Sequence, residues 1–412
     1  ATTEIYTLSL HDALPIFGTF SWSGNGNSGN YNILSSGHPA LDVHWGMEKS
    51  YDFYLNVFGR NSYNNAGGVI KNYLNDPTKQ AIQGCSNCSP NNASAFGPPY
   101  NIMSFGLGDG VTWNPVVGLD VEGHEYSHLV VNHIGNSNGI DSGLVYQGLS
   151  GALNESFADI FGTCIEYFSG VNPDWLIGED VKPPFLRSMS NPNAGQQPDT
   201  YNSTLSNGYW ANPSNLAYDN GGVHVNSGVQ NFWFYLLCQG GTGTNDLGNS
   251  YSVTGIGINQ ARQIAYRNLS TYLGPNATYL DAFAGSLQAA EDLYGNPSTQ
   301  YNSVRQAWYA VGIGSNPNTY CSGQTWLTAP SGTVTDGSGN ANYNNNSNCK
   351  WVIAPPGATQ ITITFTQFNL EVGFDTVFIY GGTDTLGTPL TYTGTTLPPQ
   401  LQTTPGLGGV LI

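Results

Sequence analysis

The spacing of apolar residues predicts a mixed chain, with helices over its central part and strands towards both ends. In HWGMEKSYDFYLNVFG, residues 44–59, apolar side chains recur at helical intervals and Gly59 can end the helix. Residues 17–40 and 60–117 are rich in turn-forming residues and predict strands and loops. Further helices are predicted over residues 121–131, 150–168, 223–237, 258–273, 280–295 and 301–311.

The hydrophobic period changes from helical to alternating after SNPNTY, residues 315–320, as ITITFTQF at 361–368 illustrates. We therefore expect an α+β unit over residues 17–314, a linker at 315–320 and an all-β module over residues 321–412. The module stops within GGVLI, which predicts a strand without a closing turn, so we expect truncation at this end.

The first 16 residues, ATTEIYTLSLHDALPI, lack the basic and apolar regions of a secretory signal in the required order. Residue for residue, they resemble the translation of a common short-read sequencing adapter. We therefore expect an artefactual segment fused to an N-terminally truncated chain, and we leave residues 1–16 out of the predicted fold and site. The alternative is an ordinary amphipathic segment, because LSLHDALPIF could form a short helix.

Charge and composition exclude several classes of function. The 412 residues include 10 Lys and Arg against 27 Asp and Glu, a formal net charge of -17. Such a surface repels phosphate backbones and anionic lipids, so we predict no nucleic-acid partner. No run approaches the roughly 18 apolar residues of a membrane-spanning helix. The even number of cysteines, 6, is consistent with an oxidising compartment and favours a secreted, extracellular protein.

A metal-binding pattern lies in LDVEGHEYSHLVVN, residues 119–132. The i, i+4 spacing of His124 and His128 places both imidazoles on one helix face, with Glu125 beside them. Tetrahedral zinc with one position left for water needs a third protein ligand. The pattern alone also occurs by chance, so the rest of the chain must supply that ligand.

The candidate third ligand lies in SGALNESFADIFG, residues 150–162. Glu155 and Asp159 are four residues apart on one face of an otherwise small and apolar helix. Glu155 can complete the metal shell, while Asp159 can accept the second ring N–H of a ligand histidine. A helix-surface acid is the alternative interpretation of Glu155.

A third element, AYDNGGVHVNSGVQN at residues 217–231, presents His224 after a Gly-rich turn, with Asp219 five residues earlier. A histidine paired with a carboxylate can donate to a developing oxyanion, and Tyr146 offers a hydroxyl near the same place. A lone histidine is more often structural, but the conjunction of three elements favours a catalytic site.

Taken together, these segments resemble the thermolysin-like zinc metallopeptidases, which are gluzincins. The resemblance is carried by HEYSH, GALNESFADIFG, DNGGVHVNSG, LRSMSNP, AAEDLYG and NSVRQAWYAVGIG, and it covers nearly all of residues 38–314. It implies a two-lobed fold with a β-rich N-terminal lobe, a central zinc helix and a C-terminal helical lobe. The implied activity is that of a secreted zinc-dependent endopeptidase acting on protein or peptide substrates.

The resemblance also implies the roles of the site residues. Glu125 would be the base that activates water, His224 and Tyr146 would stabilise the oxyanion, and Asp159 and Asp219 would orient His124 and His224. One catalytic zinc ion would bind the following residues: His124, His128 and Glu155.

One or two structural calcium ions are a further implication. The family's buried calcium site is matched by four acids: Asp120, Glu166, Asp174 and Glu179. Oxygen-rich clusters of this kind are what calcium takes, and four acids without Lys or Arg would repel one another. The alternative is a set of solvated surface acids.

Substrate contacts are implied in the same way. Arg187 would hydrogen-bond substrate carbonyls on the primed side, although an Arg there could equally form a surface ion pair. Asn92 and Ala93 would pair with the peptide backbone. The apolar wall of the S1′ pocket would comprise Val121, Ile177 and Leu186, which favours cleavage before bulky hydrophobic residues.

The cysteines divide into three pairs. Cys85 and Cys88 have no second CxxC partner, so a local disulfide is expected. Cys164 and Cys238 could form a bridge or remain buried thiols. The segment after Cys321 is similar to a CUB domain, a β-sandwich used for adhesion, which implies a Cys321–Cys349 disulfide and binding to an extracellular protein or glycan.

Two rival functions remain open. One is a catalytically inactive extracellular binding protein in which the CUB-like module carries the function. The other is a zinc aminopeptidase, which shares the HExxH pattern, although the chain has no GxMEN-like amine-anchoring motif. Cleavage of N-terminally blocked peptides separates the last possibility, because an aminopeptidase needs a free amine.

Overall fold

The computed structural model describes residues 4–7, 39–74, 89–134, 143–203, 209–317, 322–336, 343, 347–381 and 387–403. The chain divides into two compact units, residues 1–315 and 316–412. No helix among the described residues is long and apolar enough to span a bilayer.

The first unit is built mainly from helices. They are α1 Pro39–Phe58, α2 Leu119–Asn132, α3 Gly148–Ser169, α4 Asp219–Asn226, α5 Gly228–Gln239, α6 Ile258–Arg267, α7 Tyr279–Tyr294 and α8 Thr299–Ala310. A 3-10 helix, Pro192–Gly195, and a π-helical turn, Asn268–Tyr272, complete the set.

Two of the helix bounds differ clearly from the sequence predictions. Helix α1 starts at Pro39 rather than near residue 44, because proline is favoured in a first helical turn and Asp42 there faces the positive helix end. The helix predicted over 223–237 is divided between α4 and α5 at Ser227. Most of the strand-and-turn region predicted over 17–40 lies outside the described residues.

A four-stranded sheet precedes the central helices. Its strands are β1 Glu4–Thr7, β2 Lys71–Leu74, β3 Ala93–Phe96 and β4 Ile102–Phe105, in the order β1-β2-β4-β3. The β2/β4 pair is parallel, and β3 pairs antiparallel with β4. Among the described strands, β3 therefore lies at an edge of the sheet.

Strand β1 lies within the segment that we left out of the predicted fold. Its main chain pairs antiparallel with β2, from Glu4 opposite Leu74 to Thr7 opposite Lys71. A sheet edge can take up an extended segment through main-chain hydrogen bonds alone. The structure thus includes residues 4–7 in the sheet, although we had left residues 1–16 out of the predicted fold. The adapter origin of residues 1–16 stays a prediction.

Small residues bring α2 and α3 close together. A Cβ added at Gly123 would lie 2.8 Å from Ile165 Cδ1 and 3.1 Å from Gly162 Cα. A Cβ added at Gly162 would lie 2.5 Å from the Asp120 carbonyl oxygen. Because both positions lack a side chain, the two helix backbones meet directly, and the polar residues on the facing turns come within reach of one another.

Aromatic packing joins two of the C-terminal helices, α5 and α8. The rings of Trp233 on α5 and Trp308 on α8 stack with centroids 4.9 Å apart, and both side chains are fully buried. On the other side, Tyr54 of α1 donates to Ser127 Oγ of α2 at 2.8 Å. The α2/α3 pair is therefore held between α1 and the C-terminal helices.

The first unit also contains two short antiparallel pairs, β5 Leu176–Ile177 with β6 Arg187–Ser188 and β7 Gly241–Thr244 with β8 Ser250–Val253. In the described part of the second unit, the regular secondary structure consists of strands. They are β9 Ser322–Leu327, β10 Asn348–Ile353, β11 Thr362–Ile363, β12 Val377–Ile379, β13 Leu390–Tyr392 and β14 Leu401–Gln402. The second unit pairs β9 with β10, β11 with β14 and β12 with β13. Ile361 and Ile379 form its small buried core.

Candidate metal centre

Helices α2 and α3 bring three predicted metal ligands together. The ligand atoms of His124, His128 and Glu155 all lie within 4.8 Å of one another. The two Nε2 atoms are 2.9 Å apart, and each lies 3.4 Å from one Glu155 carboxylate oxygen. All three side chains are 11% exposed or less.

The outer nitrogen of each imidazole has a fixed partner. His124 Nδ1 lies 2.8 Å from Asp159 Oδ1, and His128 Nδ1 lies 2.7 Å from Asn154 Oδ1. Because both partners are oxygen acceptors, each Nδ1 carries the proton and each Nε2 presents a lone pair inward. Asn154 was missed in the sequence analysis, although its position directly before Glu155 was the available signal.

This donor set fits a cation. Two Nε2 lone pairs and a buried carboxylate converge, and Glu155 Oε2 has no hydrogen-bond partner among the described residues. Burial alone would lower the pKa of His124, but the Asp159 and Glu155 carboxylates outweigh it and raise that pKa to about 10, so Nε2 holds a proton at neutral pH until a metal ion displaces it and takes the lone pair. Positive charge is therefore stabilised where two nitrogens and one carboxylate match the ligand set of a catalytic zinc ion.

Asp159 lies at the centre of a buried network. Besides His124, its carboxylate accepts hydrogen bonds from Arg187 Nε at 2.9 Å, from the Arg187 terminal nitrogen at 2.6 Å and from Asn231 Nδ2 at 2.8 Å. Burial would raise the pKa of Asp159, but Arg187 and His124 hold it well below its ordinary value. Asp159 is thus ionised and holds the His124 ring in one orientation.

Helix α4 presents His224 from the opposite side of Glu155. Its first four residues have left-handed backbone angles, with φ of 48° at Asp219, 50° at Asn220, 93° at Gly221 and 74° at Gly222. A Cβ at Gly221 would lie 2.5 Å from the Pro213 carbonyl oxygen. The Gly-rich turn is therefore required for the chain to pass close to its neighbour and turn towards the site.

This turn pairs His224 with Asp219. The carboxylate accepts from the His224 main-chain N–H at 2.8 Å and lies 2.6 Å from Nδ1. His224 Nε2 is 3.3 Å from Glu155 Oε1 and 3.2 Å from the Tyr146 hydroxyl, which donates to the same carboxylate oxygen. His224 and Tyr146 thus converge on the rim of the metal centre.

Glu125 follows His124 on α2 and is 6% exposed. Its charge raises the pKa of Tyr146, after the larger effects of burial and of Glu155. The structure therefore brings the predicted base, the predicted ligands and both predicted oxyanion donors to one place.

A second acidic cluster corresponds to the predicted calcium site. Carboxylate oxygens of Glu166, Asp174 and Glu179 lie within 4.8 Å of one another. Burial and then the neighbouring carboxylates raise the pKa of Glu166 to about 10 and that of Glu179 to about 7. Asp120 is buried nearby and accepts from the Gly178 main-chain N–H. Mutual repulsion of this size is what a bound calcium ion would relieve.

The predicted substrate-binding residues lie in several elements. Arg187 forms an ion pair with Asp159 with 16% of its side chain exposed, so the pair is largely buried rather than on the surface, and the contact of Arg187 with substrate stays a prediction. Asn92 and Ala93 lie at the start of edge strand β3, where Ala93 pairs with Phe105. Of the predicted S1′ residues, Val121 and Ile177 are buried and Leu186 is half-buried; Leu186 N–H donates to the Ile177 carbonyl at 2.8 Å.

The structure describes three of the six cysteines: Cys164, Cys238 and Cys349. Cys164 and Cys238 carry free, buried thiols, so of the two possibilities left open the thiols are observed. Cys349 is disulfide-bonded, as expected for the β module. Its predicted partner, Cys321, and the pair Cys85 and Cys88 lie outside the described residues.

Comparison with known families covers both units. The model of the thermolysin metallopeptidase catalytic domain matches residues 2–132, and that of the thermolysin metallopeptidase alpha-helical domain matches residues 142–313. The CUB domain model matches residues 321–406. The predicted fold class, a two-lobed α+β peptidase followed by a CUB domain, is confirmed.

Individual relatives agree with these matches. Thermolysin of Alicyclobacillus acidocaldarius subsp. acidocaldarius is 40% identical over 290 residues, which cover 69% of this chain and 47% of that protein. Neutral protease NprE of Bacillus pumilus is 39% identical over 282 residues, covering 68% of this chain and 78% of that protein. The precursor of protealysin, a metalloproteinase from Serratia proteamaculans, superposes with a TM-score of 0.53 at 26% identity, covering 71% of this chain and 82% of that one.

The chain spans about half the length of most of the curated relatives that it matches. Members of the family use catalytic zinc and structural calcium, and both clusters described above supply ligands of the corresponding kind. The matched domains, the sequence identity and the site geometry agree, and the chain belongs to the thermolysin metallopeptidase family.

Proposed function

We propose that the chain is a secreted zinc-dependent endopeptidase that hydrolyses internal peptide bonds of proteins or peptides. The observation that carries this proposal is the convergence of His124, His128 and Glu155 with His224 and Tyr146 around one point. When bound, zinc supplies Lewis-acid polarisation of the scissile carbonyl and lowers the pKa of water.

The protein residues then divide the proton transfers and the charge stabilisation. Glu125 accepts the proton of the attacking water and passes it to the leaving amine. Tyr146 and His224 donate hydrogen bonds to the oxyanion of the tetrahedral intermediate, which is a charge that the ground state lacks. Asp219 keeps His224 in the orientation that directs Nε2 towards that oxygen, because it holds both the ring Nδ1 and the main-chain N–H.

Substrate orientation would come from two elements. Strand β3 is the edge of the described sheet, so the main chain at Asn92 and Ala93 would pair with an extended peptide, with Ala93 as the main partner because the Asn92 carbonyl already accepts from the Gly106 N–H at 3.0 Å. Arg187, fixed by Asp159, would donate to a substrate carbonyl on the primed side. The apolar side chains of Val121, Ile177 and Leu186 would favour a bulky hydrophobic residue after the scissile bond.

The test is hydrolysis of an N-blocked, internally quenched peptide with Leu or Phe after the scissile bond. Cleavage should be abolished both by 1,10-phenanthroline and by Glu125→Gln, while the variant keeps stoichiometric zinc. A matched control is Glu48→Gln, which removes the charge of an acid on α1 whose side chain is 41% exposed.

The outcomes separate the two rivals. Cleavage only after removal of the N-terminal block would favour an aminopeptidase. No cleavage by folded, zinc-loaded protein would favour the inactive binding protein, because the ligands would then hold a structural metal. Cleavage that survives Glu125→Gln would exclude the proposed base.

For the CUB domain we propose adhesion to an extracellular protein or glycan that delivers the peptidase to its substrate. The match to the CUB family supports this role. Removal of residues 321–412 should leave hydrolysis of the short quenched peptide unchanged and slow the cleavage of a large or surface-bound substrate. Equal losses on both substrates would contradict the proposal.

A further inference from the structure

A cavity of about 480 Å³ lies beside α2, on the face that packs against α1. Asp42, Trp45 and Glu122 contribute to its lining together with Asp180. None of the described lining residues is Lys or Arg, three of them carry carboxylates, and the nearby Lys49 ammonium lies 5.8 Å from the centroid of the Trp45 ring. This volume is in the range of small-molecule sites, and the catalytic ligands and the Glu166 cluster are not part of it.

Glu122 has the surroundings of a binding residue. It is 1% exposed, and Oε1 has no hydrogen-bond partner in the described part of the chain. Leaving a buried carboxylate oxygen unsatisfied is costly, so such a group commonly marks a ligand. Gly46 on α1 makes room for it, since a Cβ there would lie 1.4 Å from Glu122 Oε2. The carboxylate occupies space that any larger residue at position 46 would take.

The other charged side chains that line the cavity are negative, like Glu122. Among the lining residues, Asp42 and Asp180 are exposed, whereas Glu122 is buried. Trp45, Pro115, Val117, Leu119 and Val171 contribute apolar surface. A positively charged group with an apolar stem is complementary to this combination of carboxylates, aromatic ring and aliphatic wall.

A bare metal ion fits less well than an organic cation. Calcium needs several oxygens within about 2.6 Å of one point. Among the described residues, three acidic or histidine ligand atoms meet within 4.8 Å only at the zinc ligands and at the Glu166 cluster. The pocket carboxylates are spread over a larger volume, which suits a longer ligand.

We propose that this pocket binds a primary alkylammonium group on an apolar stem, such as a lysine side chain of a peptide. Glu122 pairs with the ammonium at the buried end, the Trp45 ring and aliphatic residues contact the stem, and Asp42 and Asp180 attract the cation at the rim. The site lies outside the catalytic centre and goes beyond the proposed peptidase activity.

The probe is n-butylammonium chloride, titrated calorimetrically into the 412-residue protein at 0.15 M NaCl with saturating zinc and calcium. We expect saturable binding, at least tenfold weaker binding by Glu122→Gln, and less than a twofold change in Glu48→Gln. The Glu48 control matters because the chain carries a net charge of -17 and attracts cations non-specifically. Neutral n-butanol should bind at least tenfold more weakly than the ammonium.

Each alternative outcome overturns the proposal. Equal losses in Glu122→Gln and Glu48→Gln would show general charge attraction, and equal affinity for n-butanol would show a purely apolar cavity. Binding that vanishes when phenanthroline removes zinc would place the amine at the metal centre. Binding that disappears when calcium is raised a further tenfold above its saturating level, at constant ionic strength, would show a metal site. If Glu122→Gln does not fold, Asp42→Asn and Trp45→Leu test the rim and the wall, and unchanged binding in both would overturn the assignment.

Discussion

Replacement of Asp159 by Asn tests the buried network behind the metal centre. The substitution preserves shape but removes the charge that Arg187 contacts at 2.6 and 2.9 Å. Arg187 is only 16% exposed, so its guanidinium would be left in the interior without a counter-charge. Breaking one partner of a buried ion pair costs about 3–5 kcal/mol.

The expected shift in melting temperature follows from the size of the unit. At ~2 cal/mol/K per residue, the 315 residues unfold with an entropy of roughly 0.7 kcal/mol/K. The Tm of Asp159→Asn should therefore fall by ~4–8 °C. We would measure it by calorimetry with zinc removed by phenanthroline and calcium retained, so that zinc affinity does not contribute. A separate chelator competition should show zinc affinity reduced by about 10–100-fold, because His124 loses its orienting acceptor.

A double-mutant cycle and a surface control complete the experiment. Adding Arg187→Gln to Asp159→Asn should recover stability, with a coupling of at least ~1 kcal/mol. Asp292→Asn removes a carboxylate that pairs with Arg267 at 2.5 Å on the surface, and its effect on Tm should be much smaller. Additive single effects, or equal shifts for the buried and surface variants, would refute the reasoning.

Three further predictions concern the rim, the acidic cluster and the thiols. Tyr146→Phe removes a hydroxyl that lies 3.2 Å from a histidine nitrogen, and kcat should fall by about 10²-fold at constant zinc content; an unchanged kcat would exclude Tyr146 as an oxyanion donor. The folded-state pKa values of Glu166 and Glu179 are raised from 4.5 to about 10 and about 7. Their contribution to the free energy of unfolding of the calcium-free protein is therefore complete below pH 4.5, and it is lost as the pH rises through 7 towards 10. Added calcium should therefore raise Tm more at pH 8 than at pH 5, and the opposite order would contradict the assignment. Alkylation of denatured protein followed by peptide mass mapping should find both Cys164 and Cys238 modified, whereas a peptide joining them would show a disulfide.

The sequence by itself placed the predicted metal ligands on common helix faces. The i, i+4 spacing of His124 and His128 fixes their common helix face through backbone geometry alone. Glu155 and Asp159 follow the same rule on the next helix. Family resemblance then assigned a role to each residue, and the family matches confirm the fold class on which those roles depend.

Tertiary structure decided everything that depends on distances between elements. Residues Gly123 and Gly162 set how closely α2 approaches α3, which no local pattern specifies. The partner of His128, Asn154, became evident only from the 2.7 Å contact between their side chains. Likewise, Arg187 was equally compatible with a surface ion pair until its buried contact with Asp159 was known.

The pocket beside α2 shows the same division most clearly. In the sequence, Glu122 is one more acid in a helix of mixed composition, and periodicity does not distinguish it from a solvated residue. Its isolation results from α1, where Gly46 leaves room for a carboxylate 76 residues away in the chain. Spacing along one helix is local and can be derived from sequence, whereas burial and partnership depend on which helices pack together, and only the folded chain determines that.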